Sequence, residues 1–217
     1  MDPKSLGHRR QRRLGNTTIA GMNSTPFNIA VAAIRQANGE DPRLVPALGG
    51  DVPMELAHAD ALAGWVHRLV SDPSEALLLA AHGQHIRRWQ HPRSEFPEGR
   101  TGYLRWRTTL YRFHAGECDR LLREAAVPDE TRARVSQLVS KQCPPGDAEA
   151  QALEDGLCLV FLETQFASLA ARLADARMVD VVRKTWRKMS PAARDAALAL
   201  QLSPVERDLI ERALAPV

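Results

Sequence analysis

The chain has 217 residues, with 29 Lys and Arg against 26 Asp and Glu and a formal charge of +3, a length that suits one domain with a sizeable core. The charge is uneven: residues 1–21 carry Lys4, Arg9, Arg10, Arg12 and Arg13 against Asp2, or +4, so residues 22–217 sum to 3 − 4 = −1 and the body is not a generally basic protein. Cys118, Cys143 and Cys158 have no C-x-x-C spacing, which argues against a disulfide framework or zinc knuckle, and no apolar run approaches the ~20 residues of a membrane span, so a soluble cytoplasmic protein with no membrane partner is expected.

Residues 1–21 combine Gly, polar residues and arginine without an apolar period and are expected to form a disordered basic leader to a single all-helical domain over 22–217. A short helix runs from Pro26 to Asn38, closed by Asn38-Gly39, and a loop follows through Pro42, Pro46, Gly49 and Gly50. The next helix begins near Pro53. Its stripe reads Met54, His58, Leu62, Trp65, Leu69, which turns His58 inward and His67 to solvent.

Asp72-Pro73-Ser74-Glu75 predicts a helix start with Asp72 as N-cap and Glu75 closing a capping box. The stripe that follows, Leu78, His82, His85, Trp89, projects two imidazoles from one helical face. HPRSEFPEG then breaks the helix. A long helix from near Tyr103 faces inward with Tyr103, Trp106, Leu110, His114 and Leu121, and carries Arg107 and Cys118 on one edge.

A helix from Asp129 to Lys141 stops at Cys143-Pro144-Pro145-Gly146, and one opening near Asp147 has the stripe Asp155, Leu159, Leu162, Phe166, Leu169, Leu173. Met178 to Met189 is amphipathic, with Arg183, Lys184, Arg187 and Lys188 on its polar side. Ser190-Pro191 and Ser203-Pro204 open two short helices, the second with Glu206 completing a capping box. With no convincing alternating strand and no internal repeat, the expected architecture is an all-α single domain, a bundle of eight or nine helices.

Unusual chemistry concentrates between Leu78 and His114, where Arg87, Arg88, Arg93, Arg100, Arg105, Arg107 and Arg112 face only Glu95 and Glu98. His58, His82, His85, His114 and Asp155 all fall on inward stripes. Nitrogen and oxygen donors projected from separate helices are how bundles build metal sites. The alternative is that each is a core residue with its own hydrogen bond, Asp155 serving a helix dipole. Arg88 and Arg107 border the histidine faces, where guanidinium groups suit a phosphate or carboxylate, and Lys184 and Lys188 extend the same wall. Equally, the arginines could pair with Glu117, Asp119 or Glu163 to hold helices together.

The order His58, His85, His114, Asp155, with AAHGQHIRRW and ALEDGLCLVFLE around it, resembles the HD superfamily of metal-dependent phosphohydrolases. That resemblance implies an HD-like all-α fold. It also implies that His58, His85, His114 and Asp155 hold a divalent metal (Mn, Fe, Zn or Mg), with His82 as an extra ligand. Hydrolysis of an anionic, phosphorylated small molecule would follow, with Asp155, Arg88 and Arg107 at the reacting end. The dyad's Asp position is Ile86 here. A metal-free module for an anion, a nucleotide or an RNA segment is the alternative. GQHIRRW, GYLRWRTTLYRFHA, LEDGLCLVFLE and VVRKTWRKMS together resemble the domain-of-unknown-function family numbered 4202 over residues 26–215.

Overall fold

Helix α1 (Pro26–Gly39) starts where Thr25 accepts the N–H of Asn28 and Pro26 occupies the first turn, the arrangement that satisfies an orphan donor and needs no N–H from the proline. The structure, a computed structural model, describes residues 25–47 and 49–215. The expected leader over 1–21 lies outside them. After α1 come β1 (Leu44–Ala47), β2 (Gly50–Pro53), α2 (Met54–Leu69), α3 (Glu75–Gly83) and two 3-10 turns (Arg88–Gln90 and Arg93–Glu95). The rest is α4 (Gly99–Glu124), α5 (Asp129–Ser140), α6 (Ala148–Thr164), α7 (Phe166–Ala170), α8 (Asp175–Lys188), α9 (Pro191–Leu198) and α10 (Pro204–Leu214). The chain is an all-α single domain, as expected, with ten α-helices among the described residues where eight or nine were anticipated.

Four local readings are corrected by the structure. The stretch read as a loop forms an antiparallel hairpin in which Leu44 pairs with Pro53 and Ala47 with Gly50. Gly49 and Gly50 make its turn at φ 98° and 129°, a region L side chains rarely enter. Helix α3 is capped by Ser74, which accepts the N–H of Leu77, because it and not Asp72 directly precedes the first helical residue. The same helix ends at Gly83, and Arg87 takes a left-handed conformation, so His85 and Trp89 are not on its face. The stripe from Asp155 to Leu173 is divided at Gln165 into α6 and α7. The capping box at Ser203 and Glu206 forms as read.

In the core, Leu62 and Val66 of α2, Leu77 and Leu79 of α3, Leu122 of α4, Leu138 of α5, and Leu159 and Leu162 of α6 are all essentially inaccessible, whereas Leu78, read as the inward position of α3, is only half-buried. Burying each such side chain contributes roughly 1.5–3 kcal/mol. Helix α6 lies close on α2 because Gly156 faces Leu62; a Cβ there would sit 2.8 Å from Leu62 Cδ1. Trp65 is buried, while Trp89, Trp106 and Trp186 are half-buried, and Tyr103, read as inward, is 42% exposed. Among the described residues no helix is long and apolar enough to cross a membrane.

Candidate functional site

The first turns of α2 present Glu55 and His58, the turn after α3 presents His85, Ile86 and Arg88, and the middle of α4 presents Trp106, Arg107 and His114. These segments bring three of the predicted histidines together. The rings of His58 and His85 stack with centroids 4.2 Å apart and planes 13° off parallel, and those of His85 and His114 lie 6.1 Å apart at 39°.

Beneath them is a charged clasp that the sequence reading missed. Glu55 is buried, and its Oε1 accepts from Arg43 Nη2 at 2.8 Å. Arg43 also bonds both oxygens of Asp41, at 2.9 Å from Nε and 2.8 Å from Nη2, and Asp41 in turn accepts the backbone N–H of Glu55 at 3.1 Å. Burial works against an ionised Asp41, but the bonds from Arg43 hold its carboxyl below the usual range. The free oxygen of Glu55, Oε2, faces His85 Nδ1 at 3.5 Å. A carboxylate fixed on one side and facing an imidazole on the other is the means by which proteins orient functional histidines. One signal was available in the sequence: Glu55 stands three residues before an inward histidine, hence on nearly the same helical face.

The three imidazoles are neutral at pH 7. Burial, then the neighbouring His85, lowers the pKa of His58 to about 3, with Arg88 adding to the effect. Burial lowers His114 to about 4; its bond to the Ile86 carbonyl opposes the shift and Arg88 reinforces it. His85 is held well below its ordinary value by burial, then by the charge of Arg88 and the nearness of His114. His114 Nδ1 lies 2.8 Å from the Ile86 carbonyl oxygen, which can only accept, so Nδ1 carries the proton and Nε2 presents its lone pair. The Nε2 atoms of His58 and His114 are both buried without a hydrogen-bond partner. Leaving such a group unpaired costs about 1–3 kcal/mol, which marks these positions as places for a ligand atom.

Arg88 reaches the same cluster and lies over the Trp106 ring, 4.8 Å from its centroid. Burial lowers its pKa, and no carboxylate of the described residues comes within ion-pair distance of it. Arg107 donates to the Tyr111 hydroxyl and lies 5.7 Å from the Tyr103 ring centroid and 5.4 Å from that of Tyr111. Neither arginine uses the acids weighed as structural partners. Glu117 pairs with Arg120 and Arg87, Asp119 with Arg123 and Arg132, and Glu163 accepts from Trp65 Nε1.

The remaining predicted residues lie apart from this cluster. Asp155 is buried, and its Oδ1 accepts from Gln151 at 2.9 Å and from the backbone N–H of Ser190 at 2.8 Å, tying α6 to the start of α9. His82 has a buried, unpartnered Nδ1 and a pKa lowered to about 4 by burial, then by Arg35 and His67, but it takes no part in the ring contacts among the other three. Lys184 pairs with Asp180 at 2.6 Å and Lys188 with Glu154 at 3.1 Å. The thiol of Cys118 is pushed up to about 12 by burial, which leaves it inert as a nucleophile.

An HD-type metal centre does not fit this donor set as a whole. Ile86 is fully buried where the dyad carboxylate would stand, and its carbonyl is taken by His114. The carboxylate of Asp155 is bound to Ser190. A metal lies near the plane of each imidazole that binds it, and the parallel, stacked rings of His58 and His85 have no such point in common. Among the described residues no three His, Cys, Asp or Glu side chains form a group that could hold a metal ion.

A profile of the family described as "Domain of unknown function (DUF4202)" matches residues 28–210, so the match includes every residue of the cluster and of its clasp. No curated protein and no solved structure matches the chain.

Proposed function

The chain belongs to the DUF4202 family, and we propose that the cluster of Glu55, His58, His85, Arg88 and His114 binds an anionic, phosphorylated small molecule. Arg88 carries the reading: a partly buried guanidinium that makes no ion pair among the described residues, with Glu55 acting on it only from beyond ion-pair distance, stands beside three neutral imidazoles. Burying a cation without a counter-charge is costly. A phosphate would relieve that cost through paired N–H···O bonds, which guanidinium geometry favours. The clasp of Asp41, Arg43 and Glu55 sets the Glu55 carboxylate 3.5 Å from His85 Nδ1, and the unprotonated Nε2 of His114 is an acceptor ready for a proton from a bound hydroxyl or water. The free thiols of Cys118, Cys143 and Cys158 suit a reducing, cytoplasmic setting.

Calorimetric titration at pH 7 with inorganic phosphate and a panel of nucleoside monophosphates tests this. Arg88→Ala should weaken binding by about tenfold or more, the loss of one charged hydrogen bond, whereas Lys184→Ala should not. Failure of every anion in the panel to bind at millimolar concentration, or equal binding by Arg88→Ala, sinks the reading.

A second reading, an HD-like metal-dependent hydrolase, is favoured by one observation: the buried, unpartnered Nε2 atoms of His58 and His114. Metal analysis of protein purified without a His tag tests it. Stoichiometric metal that is lost in His85→Ala and kept or strengthened in Ile86→Asp would support it; metal-free protein that still binds phosphate would rule it out.

A further inference from the structure

Among the described residues three that are not glycine take a positive φ: Arg87, Ala126 and Lys141. Two of them have a local cause. Ala126 follows α4, where the N–H of Val127 donates to the Leu122 carbonyl, and Lys141 follows α5, where the N–H of Gln142 donates to the Gln137 carbonyl. Both bonds reach back over the last turn, the pattern by which a left-handed residue closes a helix. Arg87 closes no helix. Helix α3 has already ended at Gly83, and Arg87 stands at φ 51° and ψ 29° between Ile86 and Arg88. That region is costly for any residue with a Cβ, so the surrounding structure must impose it.

The imposing contacts come from two helices. At the end of α1, Asn38 Nδ2 donates to the His82 carbonyl at 3.0 Å, and Glu40 Oε2 meets Arg87 Nη2 at 2.8 Å. On α4, His114 Nδ1 donates to the Ile86 carbonyl at 2.8 Å, and Glu117 Oε2 lies 3.9 Å from Arg87 Nε. We propose that Arg87 is the positioning residue of the histidine–arginine cluster: clamped in its left-handed turn by Glu40 and Glu117, it keeps the Ile86 carbonyl against His114 and aims Arg88 at the imidazoles. Ile86 is fully buried, which fixes the chain before the turn, and the two soft torsions of Arg87 then decide where residue 88 begins. A relaxed residue 87 would carry Arg88 away from the Trp106 ring on which its guanidinium rests. The consequence for binding depends on the reading of the cluster as an anion site, but the turn itself can be followed without a ligand.

Arg87→Ala and Arg87→Gly both remove the two ion pairs, and only glycine accepts a positive φ without penalty. In calorimetric titration with inorganic phosphate, Arg87→Ala should therefore bind about tenfold more weakly, the competent population lost once the left-handed penalty is no longer offset. Arg87→Gly should recover most of that loss. In ligand-free protein the turn is read by nuclear magnetic resonance of the His114 Nδ1 proton, which the Ile86 carbonyl protects. That proton should exchange faster in Arg87→Ala than in the wild type and return towards the wild-type rate in Arg87→Gly, with the circular dichroism of both variants unchanged. An unaltered His114 proton in Arg87→Ala overturns the proposal, and so does equal loss of protection in the two variants. Should the wild type bind no phosphate while the His114 proton responds as described, the anion reading falls and the positioning role of Arg87 stands.

Discussion

Acid should unfold this protein earlier than its carboxylates alone would allow. His58 is lowered to about 3, and His82 and His114 to about 4, from an ordinary 6.5. With the folded pKa below the unfolded one, the unfolded chain binds more protons. Stability is therefore complete above 6.5 and drains away as pH falls towards 3–4. Between pH 7 and 5, a histidine that titrates near 6.5 when unfolded and stays neutral when folded loses about 1.8 kcal/mol of stability. Three such groups lose about 5 kcal/mol, comparable with the whole of a typical domain's stability of about 5–15 kcal/mol. His85, lowered in the same direction, adds to the loss. Asp41 and Asp147 are lowered from 3.8 and act only at more acid pH, so the window isolates the histidines. Urea unfolding followed by circular dichroism at pH 7, 6 and 5 measures the effect, and His58→Gln should recover about 1.8 kcal/mol of the difference. A stability that changes by less than about 1 kcal/mol from pH 7 to 5 would show that the cluster accepts protons while folded, with Glu55 as counter-ion, and would refute the neutral assignment.

Two substitutions probe the packing beneath the site. Trp65→Ala removes a buried ring together with its bond to Glu163 and its stacking under Arg68, and should cost about 3–5 kcal/mol in chemical denaturation; a loss below 1 kcal/mol would mean that α2 and α6 do not meet there. Gly156→Ala places a methyl 2.8 Å from Leu62 Cδ1 and should cost about 1–3 kcal/mol through overpacking. A neutral or stabilising result in thermal melts would show that α6 can slide away from α2.

What the sequence revealed depended on how local the cause was. Helix existence, the Ser203–Glu206 capping box and the Pro-rich stop after α5 are written within a few residues of where they act. The gathering of His58 and His114 followed from apolar stripes on α2 and α4, because a long helix keeps its phase. His85 joined them by another route: the stripe counted it at helical spacing, yet α3 had ended at Gly83 and a left-handed Arg87 was already redirecting the chain. Glu55 read as an ordinary first-turn acid. Its meaning comes from Asp41 and Arg43, which reach it across a hairpin whose strands are four residues long and hold Pro46 and Pro53, so that no period-two signal could accumulate. For Asp155 the burial was legible, since a carboxylate headed an apolar row. Its partner was not, because that partner is the backbone N–H of Ser190, and a backbone donor leaves no mark on residue type. A stripe can therefore say that a polar group is inside, but whether it is satisfied there or left for a ligand is decided by backbone the stripe does not encode. In this chain that distinction separates Asp155, already bonded, from the unpartnered nitrogens of His58 and His114.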